Sequence, residues 1–244
     1  MKTATEPADL SKSPARIAGM FDAIAGKYDF LNHLLSAGID RRWRRRAIRS
    51  LRLNGSERVL DLCTGTADLA LAAMTERPSA GRVLGVDFAA AMLRVGLRKI
   101  HAQRLEGSIA LVRGDATRIP LPDATVDAVT IGFGIRNVQD TSAACAEVSR
   151  VLAPGGRLAV LEFAIPATPA IRRAYLWYFN RILPALGRVV SRHDAAYGYL
   201  PASVRAFASP QEFASLLRQH GFVDVHAQPL TLGVVCLYTA RRGG

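Results

Sequence analysis

The sequence predicts an α/β fold with a doubly wound, largely parallel sheet, and three observations lead there. From Gly55 onward, short apolar runs alternate with amphipathic stretches of helical period, the pattern of parallel strands joined by right-handed crossovers. The first run closes on an acid and a Gly-containing turn, Val59-Leu60-Asp61-Leu62-Cys63-Thr64-Gly65-Thr66-Ala67. Asp87 ends the second run and Asp115 follows the third. Acids thus gather at the strand ends, where open α/β sheets bind ligands.

Ahead of the sheet, residues 1–54 form an N-terminal helical cap, with helices predicted over Ala15–Ala25, Phe30–Ala37 and Arg41–Leu51. Residues 55–244 form the core, within one compact domain overall. Its strands are Arg58–Leu62, Arg82–Asp87, Ile109–Arg113, Val126–Gly132 and Arg157–Phe163. Helices at Ala67–Glu76, Ala89–His101 and Thr141–Val151 fill most of the gaps. The rhythm breaks over residues 166–208, a helical insertion holding Tyr175, Trp177, Tyr178 and Phe179, then Pro184. It follows the fifth strand at the carboxyl edge of the sheet. A helix at Gln211–His220 comes next, and runs at Val223–Pro229 and Val234–Arg241 pair as a closing hairpin.

Half of the 244 residues are hydrophobic, enough for a core that folds without staples. Cys63, Cys145 and Cys236 are odd in number and widely spaced, so neither a disulfide framework nor a CxxC metal pair can be drawn. A reducing compartment follows. Met1 to Ser13 is polar and mixed in charge, unlike a secretory signal, and no stretch reaches the length of a membrane span. The expectation is a soluble, cytoplasmic protein. Its net charge of +12 favours an anionic partner, nucleic acid or a membrane surface, without choosing between them.

The first turn is a cradle for an anionic group, because backbone N–H groups at a helix start point at the ligand. The dinucleotide fingerprint is not met, since Gly65 is followed by Ala67 and Ala70. A pyrophosphate is disfavoured. S-adenosylmethionine has only a carboxylate to place on Gly65 and Thr66, and Asp61 can answer its ammonium or, through water, its sulfonium. Asp87 stands where a carboxylate meets ribose hydroxyls. Asp115 and Ala116 are placed for the adenine amino group and ring edge. Each acid alone is as readily a helix cap or a solvated loop residue, but three at successive strand ends point to a methyltransferase. Leu152-x-Pro154-Gly155-Gly156 also resembles a turn common in that superfamily. The resemblance implies a Rossmann-like, seven-stranded sheet with the last strand antiparallel.

Four ordered stretches resemble the menaquinone/ubiquinone biosynthesis C-methyltransferase family. The longest is Tyr28-Asp29-Phe30-Leu31-Asn32-His33-Leu34-Leu35-Ser36-Ala37-Gly38-Ile39-Asp40-Arg41-Arg42-Trp43-Arg44, with Leu31 where Met is common and Asp40 where His often stands. The others are Gly132-Phe133-Gly134-Ile135-Arg136-Asn137-Val138, Arg150-Val151-Leu152-Ala153-Pro154-Gly155-Gly156-Arg157-Leu158-x-x-Leu161-Glu162-Phe163 and Tyr197-Gly198-Tyr199-Leu200-Pro201-x-Ser203-Val204. Ala153 and Ala164 replace a usual Lys and Ser, and Gly132 stands where some relatives carry Ser in the cofactor pocket.

The resemblance implies C-methylation of a prenylated quinol, either demethylmenaquinol or a 2-polyprenyl-6-methoxy-1,4-benzoquinol. The Gly38-x-Asp40-Arg41-x-Trp43-Arg44 variant leans to the naphthoquinol. The ring carbon beside a quinol hydroxyl attacks the methyl in line, so positioning and the fate of the phenolic proton carry the rate. Arg136 and Asn137 are the candidates for that task, Arg136 stabilising the quinolate or ordering a water, Asn137 holding the second oxygen. The bland alternative pairs Arg136 with a surface acid. Tyr28, Asp29, Asn32 and His33 are placed on the opposite wall, and Tyr178 and Tyr197 against the substrate. For His33 a helix cap or a satisfied core histidine is an equal reading. The other histidines show no metal-ligand spacing.

At about 100° per residue, Arg41, Arg42, Arg45, Arg46, Arg49 and Arg52 fall in an arc of roughly 140°. That arc is either a solvated face or a peripheral contact with anionic lipid, where a prenylated substrate lives. Arg44 is the exception on the apolar side, able to reach an acid or the substrate pocket. The insertion's Tyr175, Leu176, Tyr178, Phe179, Ile182, Leu183 and Leu186 read first as core and otherwise as a lid. Another small phenol is a rival acceptor, and RNA a distant one. Against RNA, the fourth strand ends in Gly132-Phe133-Gly134 and no stacking platform is evident. Oligomeric state stays open, a homo-oligomer included.

Overall fold

A computed structural model describes residues 12–36, 38–76, 81–178, 181 and 194–244. The strands fall where the apolar runs place them: β1 Arg58–Leu62, β2 Arg82–Asp87, β3 Ile109–Arg113, β4 Val126–Gly132 and β5 Leu152–Phe163. They join β6 (Phe222–Leu230) and β7 (Val235–Arg242) in one seven-stranded sheet of order β3-β2-β1-β4-β5-β7-β6. β1 to β5 pair in parallel, and β7 runs antiparallel between β5 and β6. The strand order reverses between β1 and β4, so the crevice at their carboxyl ends is the natural ligand site.

Alternate strand residues face opposite layers. Leu60, Leu62, Val129 and Ile131 pack with Cys145 and Val148 of α5 (Thr141–Val151) and Phe213 and Leu217 of the helix Pro210–Gln219. Val59, Ala128 and Leu161 pack the other way, onto α2 (Asp40–Ser50), α3 (Asp68–Glu76) and α4 (Ala90–Ala102). Both faces of the sheet are therefore covered, which is what a near-continuous apolar strand requires.

Most boundaries fall within a residue of expectation, and two elements differ by more. The first two predicted helices are one, α1 (Pro14–Leu35), which runs through Gly26. Glycine inside a helix costs about 1 kcal/mol relative to alanine, but Phe21, Ala25 and Tyr28 pack on Ala89, Met92 and Val95 across this stretch. β5 begins at Leu152, five residues early, because Leu152 pairs with Val126 before the Pro154-Gly155-Gly156 segment. Of the insertion, α6 (Pro169–Trp177) and α7 (Asp194–Ala206) are helical as expected. Phe179, Ile182, Leu183, Pro184 and Leu186 lie outside the described residues. α8 (Pro210–Gln219) opens on a capping box between Ser209 and Glu212. No helix among the described residues is long and apolar enough to cross a membrane.

Candidate active site

The turn after β1 is wound tightly, with Cys63, Gly65 and Ala67 all in the left-handed region (φ 55°, 55° and 64°). Two carboxylates hold it. Asp61 is 1% exposed and accepts hydrogen bonds from Thr64 Oγ1 (2.5 Å), Thr130 Oγ1 (2.7 Å) and Ala70 N (3.2 Å). Thr130 sits opposite it on β4. No cation bonds Asp61 among the described residues, and burial pushes its carboxyl up to about 6. Asp87 accepts from Gly65 N and Ala89 N, both at 2.8 Å, tying the end of β2 to the turn; burial raises its carboxyl too.

A buried carboxylate without a cation fits the ammonium of S-adenosylmethionine; of the turn's N–H groups, Gly65's is held by Asp87, which leaves Thr66's for the cofactor carboxylate. A cavity of about 370 Å³ continues past Asp87, lined by Phe88, Asp115, Ala116, Asn137 and Val138. Ala116 is buried, while Asp115 is exposed and its Oδ1 holds Thr117 N and Oγ1 (2.8 and 2.9 Å). Gly132 has a packing reason of its own: a Cβ there would lie 2.6 Å from Leu69 Cδ1. The serine of some relatives would need Leu69 to move.

α1 roofs this turn through charges. Asp29 accepts from Thr66 Oγ1 (2.5 Å) and Lys99 Nζ (2.8 Å), so the Thr66 hydroxyl is engaged by the cap. Lys99 also pairs with Asp68, Asp68 with Arg44 (3.1 Å), and Arg44 with Asp40. Arg44, alone on the apolar side of its helix, thus reaches two acids. His33 turns to Asp40 (Nδ1 to Oδ2, 2.8 Å), which holds it at the α1–α2 corner. Burial works against ionisation of Asp40, but Arg44 and Ser36 outweigh it and hold the carboxyl below its usual range.

Beyond the turn lies a second polar cluster. Arg136 and Asn137 form a 3-10 turn after β4, each 5% exposed. Arg136 does not pair with a surface acid, the bland alternative: its partner is Glu162 on β5, 0% exposed, with Nη1 to Oε1 at 2.7 Å. Nε donates to Ser203 Oγ on α7 (3.3 Å). One helical turn before Ser203, and so on the same face, Tyr199 is buried with its hydroxyl lacking a hydrogen-bond partner among the described residues. Asn137 Oδ1 lacks one as well. Tyr28 bonds Asn32 on α1; burial raises its hydroxyl, and the Arg136 charge pulls it back. Tyr178 packs with Val204 and Phe163. For Tyr197 only the backbone, in α7, lies among the described residues.

Sequence reasoning missed Glu162, Ser203, Tyr199 and Thr130. Glu162 carried a usable signal, an acid inside an otherwise apolar strand, since carboxylates are almost never fully buried unless paired. Ser203 and Tyr199 depend on where α7 folds back, which no local pattern encodes.

The chain matches the model of the ubiE/COQ5 methyltransferase family over residues 10–242. It is 44% identical over 234 residues to a Geobacter sulfurreducens protein named ubiquinone/menaquinone biosynthesis C-methyltransferase UbiE, covering 96% of this chain and 91% of that one. It is 46% identical over 223 residues to a Thermus thermophilus demethylmenaquinone methyltransferase, covering 91% and 100%. Among solved structures, a SAM-dependent methyltransferase from Aquifex aeolicus superposes with a TM-score of 0.59 at 15% identity, covering 94% of this chain and 97% of that one. That likeness concerns the fold.

Proposed function

We infer, for a chain that belongs to the ubiE/COQ5 methyltransferase family, that the methyl acceptor is demethylmenaquinol. The chain is a SAM-dependent C-methyltransferase of quinone biosynthesis. S-adenosylmethionine, its cofactor, supplies an electrophilic methyl group. Asp61, Gly65, Thr66, Asp87, Asp115, Ala116 and Gly132 are the residues that would hold it.

The observation that carries the acceptor reading is the buried polar cluster beside the cofactor turn. Asn137 Oδ1 and the Tyr199 hydroxyl are buried without partners, a costly state unless a ligand completes it. Arg136 supplies positive charge next to them. A quinol offers what they lack: hydroxyl groups that donate to Asn137, and oxygens that accept from Tyr199. A phenolic proton has a pKa near 10, so only about 0.1% is ionised near neutrality. A cation at the oxygen lowers that value, and help with the proton contributes about 10²–10⁴-fold. Tyr28, which lines the space over the Asp61 turn, with Asn32 and Tyr178 would close the remaining walls, while His33, turned to Asp40, acts on the helix corner. The name of the Thermus relative supports the naphthoquinol.

The exposed arginines on and just after α2 support a peripheral role at an anionic membrane, on the cytoplasmic face, where a prenylated substrate resides. Arg41, Arg42, Arg45, Arg46, Arg49 and Arg52 are all exposed, whereas Trp43, Ala47 and Ile48 are buried.

The test is methyl transfer to demethylmenaquinol and to the methoxybenzoquinol, each offered reduced and oxidised under strict anaerobiosis. The expected result is transfer to the reduced naphthoquinol, with kcat/KM at least about tenfold above the benzoquinol. Preference for the benzoquinol reassigns the acceptor. Equal rates on quinone and quinol exclude the electron push from a quinol oxygen.

A further inference from the structure

We propose that Glu162 is the positioning residue of the reaction: it aims the Arg136 guanidinium so that its Nη2 edge meets the acceptor oxygen. The proposal rests on the reading that Arg136 contacts the quinol.

Glu162 sits near the end of β5 between Leu161, 0% exposed, and Phe163. An unpaired carboxylate in such a place costs several kcal/mol, so its full set of partners matters. Oε1 accepts from Arg136 Nη1 (2.7 Å) and Phe163 N (2.9 Å), and Oε2 from Arg136 N (3.3 Å). One carboxylate therefore grips the same arginine at its backbone and at its guanidinium. It fixes the 3-10 turn against the strand and the side chain against the turn.

The guanidinium is planar, so two anchored nitrogens set the direction of the third. Nη1 also donates to Phe133 O (2.5 Å), Nε donates to Ser203 Oγ (3.3 Å), and the Phe163 ring lies 5.4 Å from Cζ. Nη2 takes part in none of these bonds. Among the described residues it is the edge that no hydrogen bond holds, and unpartnered oxygens lie on Asn137, the next residue, and on Tyr199, one helical turn from Ser203.

Charge and aim make opposite predictions, which lets them be separated. If Glu162 only neutralised Arg136, a glutamine would leave a stronger net cation beside the quinol. The quinol pKa would fall, and the rate would hold or rise. If Glu162 aims the guanidinium, the same change loosens Nη1 and misplaces Nη2, and a misplacement of about 1 Å can cost about 10²-fold.

The experiment uses the full chain with S-adenosylmethionine and a short-tailed reduced naphthoquinol. Glu162→Gln is expected to lower kcat by about 10²-fold, to leave the cofactor Kd unchanged, and to move the rising limb of the kcat–pH profile upward. Glu162→Asp keeps the charge with a shorter reach and should recover part of the rate. In a second arm, added guanidinium should restore activity to Arg136→Ala, where Glu162 still offers a socket, but not to Arg136→Ala/Glu162→Gln. The double variant buries neither charge, so it carries the test even where Glu162→Gln alone fails to fold. Equal rescue in both backgrounds overturns the positioning role and leaves the Arg136 reading intact. A limb moved to lower pH in Glu162→Gln, with kcat unchanged or raised, overturns it as well. Wild-type kcat in Arg136→Ala removes the reading on which the proposal rests.

Discussion

Asp61→Asn should make the protein more stable and worse at holding its cofactor. Burial lifts this carboxyl from 3.8 to about 6. At about 1.4 kcal/mol per pH unit, ionising Asp61 above pH 6 costs the native state about 3 kcal/mol. The sign follows from which state binds the proton. Below about pH 4 the carboxyl is protonated in both folded and unfolded chains, so there is no cost. Between about 4 and 6 only the folded form keeps the proton, and the cost grows to its full value above 6. An asparagine removes the charge; with its oxygen in the Oδ2 place it still accepts from Thr64 and Ala70, and its NH2 group donates to the Thr130 hydroxyl, which turns to accept. The variant should gain up to about 3 kcal/mol at pH 7.5, read as a Tm rise of roughly 6–12 °C, and the gain should vanish near pH 4.

Cofactor affinity should move the other way, because a charge-assisted bond to the ammonium is worth about 1.5–3 kcal/mol. That is about a 10- to 150-fold weaker Kd. Calorimetry on the wild type should also show affinity falling below pH 6 with proton release on binding, a dependence the variant lacks. A less stable variant at pH 7.5 with an unchanged Kd would refute the assignment of Asp61 as the counter-charge.

Gly134→Ala places a Cβ 2.3 Å from that of Cys63, and two backbone-fixed atoms cannot relax by a rotamer change. The expected loss is about 1–3 kcal/mol, seen as a Tm drop of at least about 2 °C; an unchanged Tm would show that the β4 turn shifts freely. Charge reversal at Arg41, Arg42 and Arg46, exposed arginines without carboxylate partners among the described residues, should weaken binding to anionic vesicles by about 1 kcal/mol per residue or more. Turnover of a short-tailed soluble quinol should be spared. Vesicle sedimentation equal to wild type would reduce the arc to a solvated face.

What the sequence determined by itself was everything carried by short-range pattern. Apolar runs of strand length between helical periods set β1 to β4 to the residue, and the end of β5, whose start lies five residues before the predicted one. The helical spacing of Arg41 to Arg52 against Trp43, Ala47 and Ile48 set which face of α2 is buried. The placement of Asp61 in β1 and Asp87 at the end of β2, around the glycine turn, was legible because strand ends and glycine turns are local patterns. The merger of two helices into α1 was not legible, because packing on α4 overrides the local preference of Gly26 for a break. Tertiary structure alone decided who partners whom across long separations: Thr130 with Asp61, Asp29 and Asp68 with Lys99, His33 with Asp40, and Glu162 and Ser203 with Arg136. The physical reason is that a strand or helix period encodes which face is buried but not which polar group waits on that face. A buried charge finds its partner only after the sheet order and the return of α7 have brought distant segments together.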